Sequence, residues 1–229
     1  MNTSGHTLRT DLVNICHAMY QKGFIASSEG NASARLGPDR ILITTRGVHK
    51  GFLRAEQLIE TDLDGKAMSD KHAPSSEIAL HLAAYRERED IAAVIHAHPT
   101  TAIACTLADI SLADGTLPEV VTALGAIPTV PYTTPGTREA GEAICPFIRQ
   151  FDALMLARHG SVTVGVTLQE AYSKLEMLEH AAQILFRAHL LGGGRPLPEA
   201  EVIRLLRAGG HDPDRVLPLV QAGKVRLVS

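Results

Sequence analysis

The apolar positions Leu8, Leu12, Ile15, Cys16 and Met19 recur at helical spacing, and Gly23 stands where such a helix would finish. The chain is therefore expected to open with a helix. A small polar segment follows, Ser27-Ser28-Glu29-Gly30-Asn31-Ala32-Ser33, and then a strand-like run, Arg40-Ile41-Leu42-Ile43-Thr44. Pro74-Ser75-Ser76-Glu77 precedes an amphipathic run with Ile78, Leu82 and Tyr85, so its hydroxyls and carboxylate sit at a helix N-terminus, a position that favours anions. Ile91 to His98 is a short branched run stopped by Pro99, which reads as a buried strand with a helix following through Leu107. Further on, the pattern predicts strands over Ala126 to Tyr132, Ala153 to Ala157 and Val162 to Val166, with a helix over Thr137 to Gln150. The longest helical pattern, Thr167 to Leu191, is closed by Gly192-Gly193-Gly194, and Pro198 to Ala208 suggests a small terminal helix and a tail.

Composition narrows this to one α/β domain over 1–229, with 195–229 as a C-terminal helical tail: 229 residues, 45% hydrophobic and 21% charged, can bury a substantial core. A net charge of -3 provides no basic field for nucleic acid, and 4% aromatic residues without tryptophan provide no stacking platform. No stretch has the length to cross a bilayer and Met1 to Thr10 has no signal-peptide core, so a cytoplasmic location and a small-molecule partner are expected. Cys16, Cys105 and Cys145 lack paired spacing and read as reduced, mostly buried thiols.

In an extended strand alternate side chains share a face, so His96 and His98 project together, a spacing that suits two imidazoles on one metal. A third donor could be His159, presented beside Gly160 at another strand end. The ordinary alternative stays open, because eleven histidines make a chance His-x-His pair unsurprising. Glu77 could equally be a first-turn carboxylate that complements the helix dipole. Gly30-Asn31, Gly47 and Ser75-Ser76 each suit turn or cap chemistry, yet together they offer the donors that a phosphate dianion needs.

In order and spacing, Gly30-Asn31-Ala32-Ser33, Ile43-Thr44, Pro74-Ser75-Ser76-Glu77, His96-Ala97-His98-Pro99, Tyr132 to Thr137 and His159-Gly160 resemble the class II aldolase/adducin family, specifically its fuculose 1-phosphate aldolase branch. The resemblance implies a three-layer α/β/α fold with a central, mostly antiparallel sheet, assembled as a homotetramer with active sites at subunit interfaces. It implies a metal, Zn2+ or another divalent ion such as Mn2+ or Co2+, held by His96, His98, His159 and Glu77, with Glu77 also moving a proton. Ser28, Gly30, Asn31, Gly47, Ser75 and Ser76 fall on phosphate-binding positions, and Arg46 stands where fuculose aldolases commonly have threonine. The implied reaction is cleavage of a ketose 1-phosphate, fuculose 1-phosphate or a 5-deoxy- or 5-methylthio-pentulose 1-phosphate, to dihydroxyacetone phosphate and an aldehyde. The catalytic tyrosine of the bacterial fuculose enzyme has no counterpart here.

Two rivals share the scaffold. Ribulose 5-phosphate 4-epimerases resemble this chain but typically carry aspartate where Glu77 stands, and a methylthioribulose 1-phosphate dehydratase would keep a similar metal set. A rival of another class is a non-catalytic module like the adducin head, against which the full set of three histidines and Glu77 argues.

Overall fold

The computed structural model describes residues 3–225; Met1, Asn2 and the last four residues of the expected tail, 226–229, lie outside the described residues. A helix α1 (Thr3–Gln21) leads into β1 (Asn31–Arg35) and β2 (Arg40–Thr44). Two short 3-10 turns, Lys50–Phe52 and Ala55–Gln57, separate β2 from β3 (Leu58–Asp62). Next come α2 (Ile78–Glu87), β4 (Ala93–Ala97), α3 (Thr100–Leu107) and α4 (Pro118–Leu124). After β5 (Thr129–Val130), α5 (Arg138–Ile148), β6 (Ala153–Leu156) and β7 (Gly160–Gly165), the chain ends in α6 (Leu168–Leu190), α7 (Glu199–Ala208) and α8 (Pro213–Val225).

The strands form one seven-stranded sheet in the order β3-β2-β1-β4-β7-β6-β5. Only the β5–β6 pair is parallel, so the expected mostly antiparallel α/β architecture is what the chain adopts. Helices cover both faces. Ile41, Ile43, Val94, Val162 and Val164 meet α2 and α5 on one side, while Ala32, Leu42, Ile95 and Ala97 meet α1 and α6 on the other. A third cluster joins α3, α4 and α6 to Ala153 and Met155 of β6. Each cluster holds one free thiol: Cys105 and Cys16 are buried in the third and second, and the half-buried Cys145 packs against the first.

Several elements depart from the periodicity. The polar segment ending at Ser33 already contains the start of β1, because Asn31 and Ser33 face α2 through hydrogen bonds rather than apolar contact. In β3, Leu58 and Ile59 are both buried, which breaks the alternation that would have revealed a strand. The expected strand over Ala126 to Tyr132 is ladder-paired at only Thr129 and Val130. The short α4 has no counterpart among the expected elements, and α8 lies within the expected helical tail beyond the small terminal helix that the pattern marks. Buried Val202, Leu206, Val216 and Val220 fold α7 and α8 back onto the main core.

Register places the chemistry. Central strand β4 pairs with β1 on one side and β7 on the other, setting His96 opposite Asn31 and Val162. The β6–β7 hairpin turns tightly after Leu156, with Arg158 at φ 62°, and this turn carries His159.

Candidate metal and anion site

Three segments converge at one end of the sheet. His96, one residue before the end of β4, is fully buried, His98 lies just past the strand end, and Glu77 is the residue that precedes α2. His159 arrives from the hairpin because Gly160 lets β7 approach: a Cβ there would meet the Ala97 carbonyl oxygen at 2.4 Å and the His98 ring at 2.8 Å. Gly30 holds a similar constraint in the first loop, with φ +66° and Ile25 where its Cβ would stand.

One ligand atom from each of Glu77, His96, His98 and His159 lies within 4.8 Å of all the others. The Nδ1–H of His96 donates to the Ser161 carbonyl over 2.9 Å, which leaves a neutral His96 with a bare Nε2. That nitrogen faces Nε2 of His98 at 3.0 Å and Oε2 of Glu77 at 3.0 Å. His98 turns Nδ1 toward Glu29 at 3.3 Å, so its Nε2 is free to point inward. Oε1 of Glu77 is 3.1 Å from Nε2 of His159, yet out of line for hydrogen bonding, and remains a buried oxygen without a partner. A divalent cation fits this set: three imidazoles and a carboxylate aim unshared electron pairs into one space, and the partnerless oxygen gains a ligand.

Burial works against charge on Glu77, but the imidazoles of His159 and His96 outweigh it and hold its carboxyl well below the usual range. Burial, with His96 and His159 nearby, depresses His98 to about 4. His98 therefore stays neutral, as a ligand must be.

Beside the cluster opens a cavity of about 540 Å³. Ser28, Gly30 and Asn31 line it from the first loop, Arg46 and Gly47 from the second, and Ser75 and Ser76 from the third; Glu77, His98 and His159 form its floor. All seven positions expected for phosphate therefore border one pocket adjoining the cation cluster. The side chain of Arg46 is on its exposed rim.

Four contributors escape sequence reasoning. Thr45 lines the pocket with a buried, partnerless hydroxyl, and Lys50 and Glu29 also border it. His81, which sequence context leaves as a structural histidine, is buried and hydrogen-bonded to Asn31 and Ser33. Adjacency hinted at two of them, Glu29 between Ser28 and Gly30 and Thr45 beside Arg46-Gly47.

Fold and pocket together set a group of three histidines and a glutamate that could hold a divalent cation beside a pocket lined by small polar residues. The chain belongs to the class II aldolase/adducin family: the family described as Class II Aldolase and Adducin N-terminal domain matches residues 10–186. A protein of Escherichia coli (strain K12) named 3-oxo-tetronate 4-phosphate decarboxylase is 35% identical over 208 residues, covering 89% of this chain and 92% of its own. An L-fuculose phosphate aldolase from Methanocaldococcus jannaschii is 35% identical over 178 residues, covering 77% and 94%. Among solved structures, YgbL from Klebsiella pneumoniae, described as a putative aldolase/epimerase/decarboxylase, superimposes with a TM-score of 0.81 at 30% identity, covering 88% of this chain and 98% of its own.

Proposed function

We propose that the protein is a divalent-metal-dependent carbon–carbon lyase that cleaves a small ketose 1-phosphate to dihydroxyacetone phosphate and an aldehyde. The observation that carries this reading is the Glu77, His96, His98 and His159 cluster opening onto a pocket lined by serine, glycine and asparagine donors. Zn2+ is the ion we assign to the cluster, with Mn2+ or Co2+ as substitutes. When bound, the cation polarises the substrate ketone and lowers the cost of the negative charge that carbon–carbon cleavage leaves beside it.

The chain's own groups do the rest. Ser75, Ser76, Asn31 and the loop at Gly47 hold the phosphate and thereby fix the ketone against the cluster. Glu77, kept ionised by its imidazole neighbours, takes or returns the proton at the carbon that gains the electron pair. In cleavage the C4 hydroxyl loses its proton to water as the C3–C4 bond breaks, the bonding pair moves to C3, and Glu77, having taken a proton from solvent, delivers it to C3. Fuculose 1-phosphate and the 5-deoxy- and 5-methylthio-pentulose 1-phosphates are the candidate substrates, and assembly as a homotetramer with sites at subunit interfaces is what the family resemblance implies.

A second reading is favoured by the relatives named decarboxylases, whose match extends over 89% of this chain. Loss of CO2 from a phosphorylated 3-oxo acid also leaves an electron pair beside a ketone, so the same cluster serves; it needs a proton donor but no base. The test is a pair of assays on the metal-loaded protein: dihydroxyacetone phosphate release from a ketose 1-phosphate panel, and CO2 release from 3-oxo-tetronate 4-phosphate, each with and without chelator. Chelator-sensitive release in the first supports aldol cleavage, and in the second alone, decarboxylation. Silence in both, with metal bound, would remove the lyase assignment.

A further inference from the structure

Lys50 opens the first 3-10 turn and is 1% exposed, although it carries a charge. Its ammonium donates to three carbonyls, those of Ser28 at 3.1 Å, Thr45 at 3.4 Å and Val48 at 2.7 Å, and its backbone N–H donates to Ser27 at 2.9 Å. A lysine ammonium has three donors, so none is left to touch a ligand. The carbonyls belong to the two loops that bring Ser28, Asn31 and Gly47 to the pocket, and Lys50 itself borders that pocket.

What the ammonium lacks is a counter-charge. Its one ionisable neighbour is the Cys16 thiol on α1, which burial pushes up to about 12 and keeps neutral. The charged side chains that border the pocket are engaged or far out: Glu77 is held among His96, His159 and Asn31, Glu29 faces Nδ1 of His98, and Arg46 is exposed. Among the described residues no carboxylate forms an ion pair with Lys50. A buried cation that binds only neutral carbonyls is electrostatically incomplete, and burial lowers its pKa accordingly. The pocket at its side is open space where an anion can complete it.

We propose that Lys50 is the buried counter-charge for a phosphate dianion in this pocket, acting through the two loops it grips rather than by direct contact. The inference rests on the anion-site reading given above. It makes Lys50 a positioning residue, with two coupled effects: it fixes the loops, and it lends the site a positive charge that water cannot screen. Linkage requires the converse, that a bound dianion stabilise the ammonium.

Binding of inorganic phosphate to the full-length, metal-loaded protein tests this by calorimetry on the wild type and Lys50→Met, together with an NMR titration of the wild-type Lys50 ammonium with and without phosphate. Lys50 is assigned by its loss from the spectrum of Lys50→Met or, should that variant not fold, of Lys50→Arg. We expect Lys50→Met to keep its metal content but bind phosphate about tenfold more weakly or worse, and the wild-type Lys50 to titrate at higher pH when phosphate is bound. A purely structural lysine would show no such phosphate-linked shift. Equal phosphate affinity in Lys50→Met, or a Lys50 titration indifferent to phosphate, overturns the role of Lys50 while leaving the anion site standing. No phosphate binding by the wild type would overturn both.

Discussion

The Nε2–H of His81 donates to the side-chain oxygen of Asn31 over 2.5 Å, and this one bond sets which way the carboxamide faces. With its oxygen committed to His81, Asn31 must turn its NH2 outward, where it donates to Oε2 of Glu77 at 3.2 Å. His81 is held in that tautomer from behind: its Nδ1 accepts from the Ser33 hydroxyl at 2.7 Å, which in turn lies 2.9 Å from the Tyr85 hydroxyl. Four side chains from β1 and α2 thus hold the carboxylate of Glu77 at the centre of the site.

Replacing His81 by Phe keeps the ring and removes both hydrogen bonds. Asn31 can then flip and present its oxygen to Glu77. Turnover should fall about 10- to 100-fold, the usual range for the partners that orient metal ligands, while stability drops by about 1–3 kcal/mol from the stranded polar groups. Steady-state kinetics and denaturant melts on the same sample check both; unchanged turnover in a folded variant would dismiss the carboxamide argument.

Acid should destabilise the metal-free protein well before its carboxylates titrate. Burial, with His96 adding to it, holds His81 at about 3 in the fold, whereas an unfolded histidine takes up its proton near 6.5. The folded value is the lower one, so the neutral form is what folding favours: this stabilisation is complete above about 6.5 and is lost as the pH falls from there toward 3. The slope approaches about 1.4 kcal/mol per pH unit for one such group. His98, at about 4, acts in the same direction. Urea unfolding of chelator-treated protein at pH 7, 6 and 5 should show the decline, and a flat profile over that span would contradict it.

Glu77→Gln is close to isosteric and still offers an oxygen to a cation, but it cannot carry a proton at neutral pH. We expect metal content to be largely retained and kcat to fall by about 10²–10⁴-fold, the contribution of a positioned acid–base group. Turnover like that of the wild type would take Glu77 out of the proton-transfer role.

Gly160→Ala adds one methyl behind the clustered histidines, where its Cβ would fall 2.4 Å from the Ala97 carbonyl oxygen and 3.0 Å from the His96 ring. Backbone cannot yield as a flexible side chain can, so β7 must shift and carry His159 with it. Metal affinity should drop about 10- to 100-fold, as for other disturbances of ligand orientation, measured by competition with a chromophoric chelator. His159→Ala provides the reference for complete loss of that ligand.

The cation cluster was partly legible because a period of two puts His96 and His98 on one face, and because His159 and Glu77 adjoin recognisable element ends. Their convergence was not legible from spacing: Asn31 and Glu77 are 46 residues apart, and only the β1–β4 register with α2 packed over it brings them together. Strand β1 stayed hidden for the same reason that it matters, since polar Asn31 and Ser33 occupy the face that alternation would fill with apolar side chains. Lys50 gave no signal, because a lysine after a turn is ordinarily solvated. Its burial follows from the fold of the two loops around it.

The distribution of thiols among the three apolar clusters gives the molecule built-in reporters of local opening. Cys16 and Cys105 are buried and raised by that burial to about 12 and about 11, so neither reacts readily with an alkylating reagent while its cluster stays closed, whereas the half-buried Cys145, also raised, can be reached without opening. The rate at which each buried thiol is labelled under native conditions then measures how often that region breathes. Cys16, packed on α1 beside Lys50, times the loops that border the pocket; Cys105 times the α3–α6 contact; Cys145 serves as the reference for a thiol already within reach. One unmodified chain can thus reveal which part of the scaffold loosens first when metal or phosphate is withdrawn.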